Sequence, residues 1–174
     1  MNTMSIPVYE AARREAQQIL KAMPIDMGLE CLKDIAARWN ATVSVVPLEE
    51  GLSGFIIKES GTDPRIYLNA LESQQRQRFT LAHEIGHLVE REAISGDRDY
   101  SFIDYRHTDN YDLHEFFADE FAGELLMPAA RFIRSYRKYG AFKTAVDFGV
   151  SVPAVKRRLA RLQKNPPRGH SVAQ

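Results

Sequence analysis

The chain has little of what would tie it to several large classes of protein. One cysteine, Cys31, in 174 residues excludes an internal disulfide, and its neighbours Leu29, Leu32 and Ile35 make it a core residue rather than a ligand. No apolar stretch approaches the roughly 18 residues of a membrane span, and the N-terminal residues show no apolar signal segment, so the expectation is a cytoplasmic protein without a membrane partner. A net charge is also missing, because 23 basic residues balance 23 acidic ones. With 44% hydrophobic residues there is enough apolar material for a real core, in one domain or one plus a small appendage.

The local pattern gives an order of elements. Val8 to Met23 is rich in Ala, Glu, Arg and Gln and reads as a helix stopped by Pro24; Gly28 to Trp39 reads as a second, with Asp26 as a cap. Thr42 to Val46, Gly54 to Lys58 and Arg65 to Leu68 read as short strands, the last two joined by a turn at Ser60-Gly61-Thr62-Asp63-Pro64. A small antiparallel sheet is expected from them. Residues 93 to 112 lack apolar periodicity and read as a long loop. Tyr100, Tyr105 and Tyr111 lie in it, each able to pack the loop down or to steady an oxyanion.

The most informative stretch is His83-Glu84-Ile85-Gly86-His87. Imidazoles four apart on a helix project from one face, so both can reach a single metal ion, and Glu84 can act as general base on a water whose pKa zinc lowers to about 7. The flanks support the helix this requires. From Ser73, a plausible cap, to Glu92 there is no proline, and Phe79, Ala82, Ile85, Gly86 and Val89 recur at helical spacing. His83 and His87 would border that stripe, shielded by packing on one side and open to substrate on the other. Gly86 costs roughly 1 kcal/mol against alanine in a helix, which points to close approach of another backbone.

A catalytic zinc usually has three protein ligands and an open fourth position. Glu90 and Ala93 stand where a metzincin needs glycine and histidine, so that continuation is excluded. A second helix over residues 113 to 126 offers Glu115 and Asp119 on one face, with Glu120 and Glu124 as another pair and His107 and His114 as further candidates. Spacing ranks Glu115 first without settling the choice. Glu120 is expected to be solvated. Asp119 could accept a hydrogen bond from a ligand histidine and so orient it.

The balanced charge hides a regional bias. Residues 131 to 174 hold 11 of the 23 basic residues and one acid, Asp147. Phe142 to Leu159 reads as helix, glycine-containing turn and second helix with Pro153 in its first turn, a helix-turn-helix pattern. Lys156, Arg157, Arg158, Arg161 and Lys164 would decorate the second helix and could dock nucleic acid or substrate, DNA standing behind packing and substrate docking. Asn165 onward, including His170, reads as a disordered tail.

The run Arg78-Phe79-Thr80-Leu81-Ala82-His83-Glu84-Ile85-Gly86-His87-Leu88, followed by Glu115 to Pro128, resembles the ImmA/IrrE family of zinc metallopeptidases over about residues 28 to 163. The resemblance implies one zinc ion per chain held by the two histidines and a glutamate, which falls on Glu115 when matched from the Leu-Leu-Met-Pro end. Phe117 and Asp119 stand where the commoner form has glutamate and asparagine, which removes a competing carboxylate and leaves Asp119 to orient a histidine. It further implies an α+β zincin-like peptidase with the small antiparallel sheet over residues 1–130, a helix-turn-helix-like segment over 131–164 packed on it and a tail over 165–174. The implied partner is a helix-turn-helix repressor, cleaved to release its target genes. The alternative is a DNA-binding or scaffolding regulator with a structural or vestigial zinc site.

Overall fold

A computed structural model describes residues 6–22, 28–91, 100–105 and 111–167, with the backbone alone for 100–105. The architecture is mixed α+β with a helical majority. In chain order the elements are α1 (Val8–Lys21), α2 (Leu29–Ala36) running into a 3-10 turn (Ala37–Trp39), β1 (Thr42–Val46), β2 (Leu52–Lys58), β3 (Arg65–Asn69), α3 (Gln74–Leu88), β4 (Tyr100–Tyr105), α4 (Leu113–Leu126), α5 (Ala129–Phe148) and α6 (Val152–Lys164). The single helix expected over Gly28 to Trp39 tightens after Ala36 and stops where Asn40 adopts a left-handed conformation, φ 56°. The cap expected at Asp26 and the stop expected at Pro24 lie outside the described residues, as do His107 and His170.

The sheet departs from expectation in two ways. Its strand order is β1-β3-β2-β4, and β1 pairs parallel to β3 while β2 runs antiparallel to β3 and β4, so it is mixed rather than antiparallel. Short strands of similar composition do not reveal their direction, because parallel and antiparallel ladders accept the same residues. The second departure is β4 itself, which lies in the stretch expected to be a loop. Its run Tyr-Ser-Phe-Ile-Asp-Tyr is rich in strand formers, and pairing with β2 supplies the ladder that periodicity could not reveal.

Helix α3 lies between the sheet, α2 and α4, and every residue from Thr80 to Leu88 is buried. The expected one-sided stripe is therefore corrected: packing on several sides encloses the whole motif turn. Two glycines make this possible. At Gly54 on β2 a Cβ would fall 2.6 Å from Thr80 Cγ2, and at Gly86 one would fall 2.8 Å from Ala118 Cα, so the sheet has room for the Thr80 side chain and α3 meets the backbone of α4. The close approach expected at Gly86 is thus to α4.

Beyond α4, α5 ends at Gly149, φ 60°, and α6 begins after Ser151, whose hydroxyl accepts from Ala154 N–H at 3.2 Å. Arg78 of α3 donates to the Gly149 carbonyl and so fastens this turn to the motif helix. Arg158, expected on an exposed basic face, is 2% exposed, bonded to Glu124 and 3.5 Å from Glu120. Glu120, expected in solvent, is fully buried with Arg13 at 2.9 Å and Arg161 at 3.3 Å. The physical reason is shared: carboxylates on α4 lie under both α1 and α6, and burying them requires cations from those helices.

Candidate metal centre

The site is assembled from two helix ends. Ser73 caps α3, accepting from Arg76 N–H at 3.3 Å, and sets the helix that carries His83, Glu84 and His87. Asp112 caps α4 and accepts from the N–H groups of His114, 2.8 Å, and Glu115, 2.9 Å, which fixes Glu115 in the first turn. A carboxylate there also gains from the helix dipole. Contact between Gly86 and Ala118 then brings the two ends together.

His83 Nε2 lies 3.1 Å from His87 Nε2 and 3.2 Å from Glu115 Oε2, and His87 Nε2 lies 3.3 Å from Glu115 Oε1. Ligands about 2.0–2.1 Å from a tetrahedral zinc stand about 3.3–3.4 Å apart, so the three side chains fit such an ion with small adjustment. Hydrogen bonding points the same way. Asp119 Oδ1 is 3.1 Å from His83 Nδ1, and a carboxylate can only accept, so Nδ1 carries the proton and Nε2 turns a lone pair toward Glu115. Converging lone pairs call for a cation. Among the described residues, His83, His87 and Glu115 form the one cluster of this kind.

The electrostatics put the donors in the forms a metal needs. Burial, opposed by Glu115, holds the His87 imidazole down to about 4, so it is neutral near pH 7. Burial alone would raise the Glu115 carboxyl, but the His83 and His87 imidazoles beside it override burial and hold the group well below the carboxylate range. Burial likewise opposes ionisation of Asp119, and His83, Arg161 and Tyr111 outweigh it. Glu84 sits between the two histidines in the sequence and is fully buried.

Other candidates are distributed differently. His114 pairs with Glu90 at 2.8 Å instead of joining the cluster. Tyr111 donates to Asp119 Oδ2 at 2.9 Å and burial, with the Asp119 charge, pushes it up to about 12. Tyr100 and Tyr105 have their side chains outside the described set. Lys156 and Arg157 are exposed, whereas Arg161 reaches Asp119 at 2.7 Å. A cleft of about 130 Å³ opens beside Asp119, walled by Phe79, Met127, Val150 and Pro153 and edged by Arg157 and Arg161. Sequence reasoning missed the inward role of Arg161 and the Arg13–Glu120 pair, since neither has a local signature.

The mixed α+β fold thus brings two histidines of one helix and a carboxylate of the next around a common point that could hold a metal ion. Residues 40–160 match the model of the IrrE N-terminal-like domain, a peptidase family, and the chain belongs to it. Among solved structures, a Mycobacterium tuberculosis transcriptional regulator shares the fold, with a TM-score of 0.66 and 19% identity. That similarity covers 93% of this chain and 49% of the other, so the chain spans about half the length of that protein. No curated protein matches. Among the described residues no helix is long and apolar enough to cross a membrane.

Proposed function

We propose that this protein is a zinc-dependent endopeptidase of zincin-like architecture, with one zinc ion held by His83, His87 and Glu115. The observation that carries the reading is the donor triangle with edges of 3.1, 3.2 and 3.3 Å on two packed helices. Zinc, when bound, would acidify a water molecule and polarise the scissile carbonyl. Glu84 takes the proton of the attacking water and returns it to the leaving amine, the role its place between the two ligands suits. Asp119 keeps the proton of His83 on Nδ1 and so leaves Nε2 for the metal. The lowered His87 keeps its ring neutral and able to bind.

The substrate in this reading is a helix-turn-helix repressor, cut in the cytoplasm so that its target genes are released. Family membership supports the peptidase part, and the transcriptional role printed for the structurally similar protein supports a regulatory setting. Residues 1–130 would form the peptidase part, with 131–164, helix-turn-helix-like in order, packed on it. Lys156 and Arg157 remain on the surface for docking, and Arg157 edges the cleft beside Asp119. The competing reading, a DNA-binding regulator with a structural zinc, loses Arg158 to a buried ion pair and Arg161 to Asp119.

Zinc content and cleavage test the proposal together. Wild type should hold about one zinc per chain, His87→Ala and Glu115→Ala should lose it, and Glu84→Gln should keep zinc while losing cleavage of a repressor encoded nearby. Zinc-free wild type that takes up none on reconstitution would end the peptidase reading, and cleavage by Glu84→Gln would remove Glu84 from the mechanism.

A further inference from the structure

Arg161 lies in α6, outside the two helices that carry the candidate ligands. Its Nη2 donates to Asp119 Oδ2 at 2.7 Å and to the Tyr111 hydroxyl at 2.5 Å, and its Nη1 donates to Glu120 Oε1 at 3.3 Å. The guanidinium also lies over the Phe116 ring, 5.2 Å from its centroid. Both terminal nitrogens of this side chain are held. Because Asp119 Oδ1 meets His83 Nδ1, a continuous chain of polar contacts runs from α6 through α4 to the motif helix.

We propose that Arg161 is a positioning residue for the metal centre: it locks the Asp119 carboxylate in the orientation that keeps the His83 proton on Nδ1 and leaves Nε2 bare. The inference rests on the zinc reading above. Two effects of the guanidinium compete. Its charge draws electron density from Asp119 and weakens the pull of that carboxylate on the His83 proton, which alone would lower metal affinity slightly. Its fork, however, spans Asp119 and Glu120, and since the fully buried Glu120 also has Arg13 at 2.9 Å, Asp119 is the carboxylate for which Arg161 is the nearby cation. Without it Asp119 Oδ2 keeps only the neutral Tyr111 hydroxyl, and the carboxylate, whose side chain is 16% exposed, turns toward solvent and leaves His83. Withdrawal modifies one hydrogen bond, whereas reorientation abolishes it, so orientation dominates. In this arrangement docking of α6 is a condition for a competent His83.

The experiment is a double-mutant cycle on zinc affinity by chelator competition, using wild type, Arg161→Gln, Asp119→Asn and the double variant, with exposed Arg14→Gln as control. Partners of ligand histidines typically contribute about 10–100-fold to metal affinity. Arg161→Gln is expected to weaken zinc binding about tenfold, and adding it to Asp119→Asn is expected to change nothing further. Wild-type affinity in Arg161→Gln, or losses that multiply in the double variant, would overturn the proposal. The ¹⁵N spectrum of metal-free protein gives a second readout: His83 should hold its Nδ1–H form in wild type and lose that preference in Arg161→Gln. This readout still decides the role of Arg161 if wild type takes up no zinc, an outcome that would sink the metal reading itself. Should Arg161→Gln fail to fold, Arg161→Lys carries the test. One ammonium cannot hold both carboxylates, so a few-fold loss is expected, and equality with wild type would overturn the proposal.

Discussion

Gly86→Ala should damage the metal site more than it damages the fold. An added Cβ would sit 2.8 Å from Ala118 Cα, 3.2 Å from its carbonyl oxygen and 3.3 Å from its Cβ. Ordinary contact begins near 3.4 Å, so α3 and α4 must open locally by about 0.6 Å. Overpacking of this kind costs about 1–3 kcal/mol, while alanine in place of glycine returns about 1 kcal/mol of helix propensity. The net loss for metal-free protein is then about 0–2 kcal/mol, compatible with a folded chain. The site is less forgiving, because Ala118 lies between Glu115 and Asp119 on α4 and moves with both. Metal–ligand distances tolerate about 0.2 Å, a third of the required opening. Zinc affinity should therefore fall at least about tenfold, about 1.4 kcal/mol. Urea unfolding of the metal-free protein and chelator competition on the same preparation measure the two terms. A folded Gly86→Ala protein whose zinc affinity lies within about twofold of wild type would refute the argument that this contact sets the site.

Two further outcomes follow from the buried charges. Arg158→Ala leaves Glu120 and Glu124 in the interior with one cation fewer, and breaking a buried pair in this way costs about 3–5 kcal/mol; a loss under about 1 kcal/mol in urea unfolding would show that the pair is solvated. For pH, His87 binds its proton less readily when folded, about 4 against the ordinary 6.5, so below pH 6.5 the unfolded chain takes up more protons than the folded one. Stability of metal-free protein should fall between about pH 6.5 and 4, by at most about 3.4 kcal/mol from this group. The depressed Glu115 and Asp119 add losses below their ordinary range. His87→Gln should flatten the upper part of that window, and an unchanged profile would remove His87 as its cause.

Local periodicity was sufficient for whatever a single helix decides. Four-residue spacing aligns His83 with His87 and Glu115 with Asp119, and the Ser73 cap is readable because capping acts over three residues. Resemblance supplied the choice of Glu115, and packing gives a separate reason for it: Gly86 admits α4 at Ala118, one turn from Glu115, while Glu120 and Glu124 turn toward Arg13 and Arg158. The parallel pairing of β1 with β3 and the inward turn of Arg158 and Arg161 had no local signal, and the strand formers of 100–105 had no periodicity to mark them. Spacing along a chain determines which residues share a face. What lies opposite that face depends on the rest of the fold, and here it decided which charges were buried, which were paired and which were left for a metal ion.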